Sequence, residues 1–209
     1  MARAETASAV RVSAQRLRKA GMAVLKNALR LILCAAFGLT FLAHSASAIA
    51  EAPTEYQVKA VFVFNFSHFV EWPSQAFTAP DEPFVIGILG DDPFGSRLDE
   101  AVRGELINSH PLVVRRFHHI DEVGNCRILF IDRSEGAQLS HVLAALDHRS
   151  TLTVSDVDGA SEHGIMVQFV TENNRIRLRI NVDSARAAGL TISSNLLRPA
   201  EIVSTIKGD

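Results

Sequence analysis

The sequence predicts an α/β fold: a mainly parallel central sheet flanked by helices on both faces, with a C-terminal antiparallel hairpin. Three observations carry this. Short apolar runs recur at residues 84–89, 112–117, 127–131 and 151–154, and continuous apolar runs of that length mark strands buried on both faces. Segments of helical character separate several of these runs, as parallel strands require. Near the C-terminus the pattern changes. Residues 165–171 and 175–181 are joined by Glu172-Asn173-Asn174, and Arg175, Arg177 and Arg179 alternate with Ile176, Leu178 and Ile180. That period of two is the pattern of a half-exposed antiparallel ribbon, expected at a sheet edge.

Residues 55–70 open the folded part as a helix carrying Tyr56, Val58, Val61, Phe62, Val63, Phe64, Phe66, Phe69 and Val70. Its apolar residues surround the axis, whereas a surface helix shows one stripe. The helix is therefore either sandwiched in the core or turned toward a partner. Gln57, Lys59, Asn65, Ser67 and His68 interrupt it, so it is no membrane span, and Pro73 stops it. After a loop over 74–83 comes the strand 84–89, then Gly90 and a helix start at Asp91-Asp92-Pro93. Pro93 suits the first turn with Asp92 as its cap, and Gly104 ends the helix after Arg103. Strands follow at 112–117 and 127–131. Ser134-Glu135-Gly136 leads into a helix through Leu146, and 151–154 is the next strand. After the hairpin, helical segments are expected at 184–188 and 193–207, with Gly189 between them. No internal repeat or second domain is visible.

The N-terminus reads as an export signal. Arg3, Arg11, Arg16, Arg18, Lys19, Lys26 and Arg30 precede the apolar segment 31–42, and Ala46-Ser47-Ala48 has the A-x-A form of a cleavage site. The apolar run is shorter than the roughly 20 residues of a membrane span. Residues 1–48 are expected to leave as a signal peptide and 49–209 to form the working α/β domain. The segment 1–48 holds seven of the 21 Lys+Arg and one of the 23 Asp+Glu, so 14 bases and 22 acids remain, a net charge of about −8. Such a domain is repelled by phosphate backbones, which argues against nucleic-acid binding. Only Cys126 survives cleavage; a lone cysteine forms no internal bridge, and its place before the run 128–131 favours burial.

Carboxylates at strand ends are the first candidates for chemistry, because ligands of open α/β sheets gather outside the carboxyl ends of the strands. Asp91 and Asp92 follow the first strand, Asp132 and Arg133 the third, Ser155 and Asp156 the fourth. The arrangement imitates a phospho-receiver. However, a receiver needs a lysine after a late strand, and residues 49–209 have only Lys59 and Lys207. Helix caps and turn formers explain the same residues. Gly87, Gly90 and Gly95 lack the G-x-G-x-x-G spacing of a dinucleotide site. His118 and His119 would point to opposite faces of a strand, and Asp156-Val157-Asp158-Gly159 lacks the later acidic ligand of a calcium loop. No G-x-S-x-G or H-E-x-x-H occurs, and Asn65-Phe66-Ser67, though it matches a glycosylation acceptor, falls in the helix. No catalytic set, metal site or cofactor site emerges.

The segment from Glu55 through Asn65-Phe66-Ser67-His68-Phe69-Val70-Glu71-Trp72-Pro73 resembles the opening helix of the YfiR family of bacterial periplasmic proteins. Gly87-Ile88-Leu89-Gly90-Asp91-Asp92-Pro93-Phe94-Gly95, Cys126-Arg127-Ile128-Leu129-Phe130-Ile131, Leu152-Thr153-Val154-Ser155-Asp156, and Ile180-Asn181 through Gly189-Leu190-Thr191-Ile192-Ser193-Ser194-Asn195-Leu196-Leu197 match in the same order. The resemblance implies an exported regulator, not an enzyme. It would restrain an inner-membrane diguanylate cyclase, or a histidine kinase, by binding its periplasmic sensor region, with an outer-membrane lipoprotein able to relieve the restraint. Two features depart from the family: Cys126 has no partner for a bridge, and Ala160 stands where many relatives carry Phe. The aromatic first helix suits an interface or a homodimer seam, which makes Phe62, Phe66, Phe69 and Trp72 the expected partner contacts. The alternative is a periplasmic small-ligand-binding or sensing protein using a crevice at Asp91, Asp92, Asp132, Arg133, Ser155 and Asp156.

Overall fold

The computed structural model describes residues 53–205 apart from 78, 80, 148 and 174. The export signal read at residues 1–48 lies outside the described residues. Helix α1 (Glu55–Phe69) begins at a capping box: the Thr54 hydroxyl accepts from the Gln57 N–H, and the Gln57 side chain accepts from the Thr54 N–H. It passes directly into β1 (Val70–Glu71), which pairs antiparallel with β9 (Thr191–Ile192).

The other strands form one sheet. They are β2 (Phe84–Leu89), β3 (Leu106–Ile107), β4 (His110–Phe117), β5 (Ile128–Ile131), β6 (Leu152–Ser155), β7 (Val167–Glu172), β8 (Arg175–Asn181) and β10 (Glu201–Val203). Their order is β10-β8-β7-β6-β5-β2-β4-β3. The five strands β4, β2, β5, β6 and β7 run parallel. In sequence order they lie second, first, third, fourth, fifth, the arrangement of a doubly wound sheet whose switch point falls between β2 and β5. Antiparallel pairs close the pattern at β3–β4 and β7–β8, the latter in the register Phe169↔Leu178.

Apolar side chains leave both faces of this sheet, as continuous strand runs demand. On one face Ile86, Ile88, Phe130, Val154 and Phe169 pack with Val63 and Phe66 of α1, with Leu98 of α2 (Ser96–Val102), with Ala185 of α4 (Val182–Ala187) and with Leu196 of α5 (Ser194–Leu197). On the other, Val85, Leu89, Leu129 and Ile131 meet Leu139 and Val142 of α3 (Leu139–Ala145). The predicted fold class and hairpin are therefore present. Among the described residues no helix is long and apolar enough to cross a membrane.

Three expectations change. The hairpin is not the edge of the sheet, because β10 pairs parallel with β8, placing Ile202 beside Ile180. The helix expected over 193–207 is absent through residue 205, the last one described: α5 is one turn, Pro199 follows it, and the β-branched Ile202 and Val203 take up strand geometry. The helix after β2 starts later than Pro93. Asp92 Oδ1 accepts from the N–H groups of Phe94 and Gly95, and this turn carries the chain to Gly95, whose φ of 56° precedes α2. The short β3–β4 hairpin was not foreseen; Asn108 and Ser109, both at positive φ, form its two-residue turn.

Candidate functional site

The carboxyl ends of β2, β5 and β6 gather the strand-end residues singled out in the sequence, and the N-terminal half of α1 lies beside them. Tyr56 and Lys59, three residues apart, share one helical face. The Lys59 ammonium is fully buried, 2.6 Å from Asp156 Oδ2 and 2.6 Å from Glu55 Oε1. The Tyr56 hydroxyl donates to the same Asp156 oxygen at 3.0 Å. Arg133 closes the ring, its Nε donating to the Asp156 carbonyl at 3.0 Å and standing 3.5 Å from Oδ1. The ammonium also lies 4.5 Å above the Tyr56 ring. Two cations and two carboxylates make the cluster neutral, the condition under which charge is tolerated out of water.

The electrostatics follow from this packing. Hydrogen bonding from Lys59 holds the Glu55 carboxyl below the ordinary carboxylate range. Burial pushes the Tyr56 hydroxyl up to about 12, and the Asp156 carboxylate adds to the rise. Tyr56 therefore stays a proton donor to Asp156 rather than becoming a second anion beside it. Asp156 is wholly buried, and although its Oδ1 has no hydrogen bond, Oδ2 is tied to both Tyr56 and Lys59. The cluster fastens α1 to the strand ends; an acceptor carboxylate for group transfer would have to face solvent.

Of the remaining crevice residues, Asp92, Asp132 and Ser155 spend their side-chain polar atoms on local structure. Asp92 Oδ2 accepts from Arg116 Nε at 2.8 Å, and Arg116 also forks onto Asp99, which lowers that carboxyl's pKa. Asp132 Oδ1 caps the Ser134 N–H. Ser155 Oγ donates to the Ile131 carbonyl and accepts from the Val157 N–H. The exposed Asp91 gives its own N–H to Ser134 Oγ. At the switch point a Cβ on Gly90 would come within 2.4 Å of Ser134 Oγ, so the loop after β5 sits against the loop after β2.

Of the four aromatic residues expected at an interface, Phe66 is fully enclosed, stacked on Phe169 at 5.9 Å, and drops out as a surface contact. Phe62, Phe69 and Trp72 are half-buried. Phe62 packs edge-on to Phe169, and Trp72 donates its Nε1 to the Arg127 carbonyl while lying edge-on to Phe84. Val61 on the outer side of α1 is 52 % exposed. Cys126 is buried as expected, and burial pushes its thiol up to about 12. Sequence reasoning missed Tyr56 and Lys59. The available signal was Lys59 itself, a lysine inside an otherwise apolar helix with Glu55 four residues before it.

A family model described as YfiR/HmsC-like matches residues 56–201. The chain belongs to the YfiR/HmsC-like family. No curated protein matches it. The YfiR/HmsC-like span runs from Tyr56 to Glu201, so it takes in the Tyr56–Lys59–Asp156 cluster, the whole parallel core and the hairpin.

Proposed function

We propose that this chain is an exported, non-enzymatic regulator that binds the periplasmic sensor part of an inner-membrane signalling enzyme, a diguanylate cyclase, and holds it inactive. The family match over residues 56–201 carries this reading. The carboxylates of Asp132, Asp92 and Asp156 support it, being committed to a cap, to Arg116 and to Lys59. The exported domain begins after Ala48 and works in the periplasm, where an outer-membrane lipoprotein relieves the restraint. Contact with the cyclase, or with a second copy in a homodimer, uses the open side of α1, with Val61 and the exposed parts of Phe62, Phe69 and Trp72.

The test is intracellular cyclic di-GMP in the native host, with the gene deleted and then restored with or without residues 1–48. Deletion raises the nucleotide, and only the form carrying residues 1–48 brings it back down. An unchanged level on deletion overturns restraint of a cyclase.

A further inference from the structure

At the opposite, amino ends of β5 and β6 lies a cavity of about 260 Å³ whose walls include Gln75, Asn125, Arg127, Arg149, Ser150 and Thr151. Among the described residues no carboxylate lines it, in a domain where residues 49–209 hold 22 acids against 14 bases; Glu82, outside that lining, accepts from Arg127 Nη2 at 2.9 Å and from Asn125 Nδ2 at 3.4 Å. Arg127 is held rigidly. Its Nη2 donates to Ala76 O and to Glu82 Oε1, and its guanidinium lies 4.5 Å over the Phe77 ring, which stacks in turn on His110 at 4.1 Å. Its Nε is buried with no hydrogen-bond partner, and an orphaned buried donor is costly. Arg149 is exposed, donates once to the Val123 carbonyl at 2.8 Å, and makes no ion pair among the described residues. Glu82 balances the charge of Arg127.

We propose that this cavity is a binding site for a small oxyanion, a carboxylate or phosphate group, held between Arg127 and Arg149. Guanidinium groups bind such oxygens through paired, charge-assisted hydrogen bonds. The Gln75 amide and the Ser150 hydroxyl supply neutral donors around them, while the Asn125 amide already donates to Glu82 Oε1 at 3.4 Å. The site goes beyond the regulatory reading above and is read out separately from it. A small anion here bears on the segment after β1, because Trp72 donates to the carbonyl of Arg127 itself.

Trp72 is the chain's single tryptophan and so reports on Arg127 without labelling. The full chain is titrated with inorganic phosphate and with succinate at constant ionic strength, following tryptophan emission and melting temperature together. Saturable change in either readout with at least one anion is expected. Arg149→Gln, at an exposed site and checked for folding by its melting temperature without anion, weakens that binding roughly tenfold, the loss of one charge-assisted hydrogen bond. Arg116→Gln, in the separate cluster with Asp92 and Asp99, titrates as the parent does. Saturation by phosphate alone assigns a phosphate-bearing ligand, and by succinate alone a carboxylate. No saturable response to either anion, or an Arg149→Gln variant that titrates like the parent, overturns the site.

Discussion

Lys59 and Asp156 lie 97 residues apart in sequence and 2.6 Å apart in space, and their pairing makes a specific energetic claim. Removing one partner of a buried ion pair leaves the other charged and out of water, which costs about 3–5 kcal/mol, whereas replacing both by apolar groups is often far cheaper. Lys59→Met and Asp156→Leu are each expected to lower unfolding free energy by that order in urea denaturation, and the double variant by less than their sum. Additive losses would show that the two do not act as a unit. This pair was not legible in the sequence. Asp156 reads as one of several strand-end acids, and Lys59 as an interruption of an apolar helix; only the route of α1 back over the strand ends brings them together. By contrast, the turn and capping roles of Asp92, Asp132 and Ser155 were legible, because a short polar side chain beside a strand end bonds its own backbone neighbours wherever the rest of the chain goes.

At the scale of elements, what was legible was whatever local pattern alone decides. Strand β2 carries six consecutive buried residues and was bounded correctly, whereas α1 ends at Phe69, ahead of Pro73, because Val70 and Glu71 turn into strand β1. The all-round apolar character of α1 admitted two readings. The structure favours the sandwiched one for Val63 and Phe66, while Val61 keeps an open side. The C-terminal segment was misread because one helical turn at Ser194–Leu197 resembles the start of a longer helix, and the strand after Pro199 becomes stable only by pairing with β8. Helix α1 also depends on its first turn. Thr54→Ala removes the hydroxyl of the capping box and is expected to cost about 1 kcal/mol, with a matching loss of amide-exchange protection confined to the first turn of α1. Unchanged protection there would mean that the Tyr56 and Lys59 bonds alone hold the helix start.

The whole molecule links α1 and the sheet through groups that respond to pH in the same direction. Tyr56, on α1, and Cys126, just before β5, are both raised to about 12 by burial. A raised acid binds its proton more tightly when folded, so each contribution is complete below its unfolded value, about 10 for tyrosine and about 8.5 for cysteine. Both are lost as pH climbs from there toward 12. Glu55 works in the opposite sense, its lowered carboxyl favouring the fold above the ordinary carboxylate range and losing that effect as pH falls through its folded value. Stability is therefore expected to be flat through neutrality and to decline at alkaline pH. Tyr56 is the chain's only tyrosine, which makes the alkaline limb directly visible. Tyrosinate absorbance of the native protein should rise near pH 12, or together with unfolding, and near pH 10 in urea. A native midpoint near 10 would mean that the hydroxyl is hydrated rather than donating to Asp156, and would detach α1 from the strand ends in solution. Tyr56→Phe should remove the absorbance and part of the alkaline loss, leaving the share that belongs to Cys126.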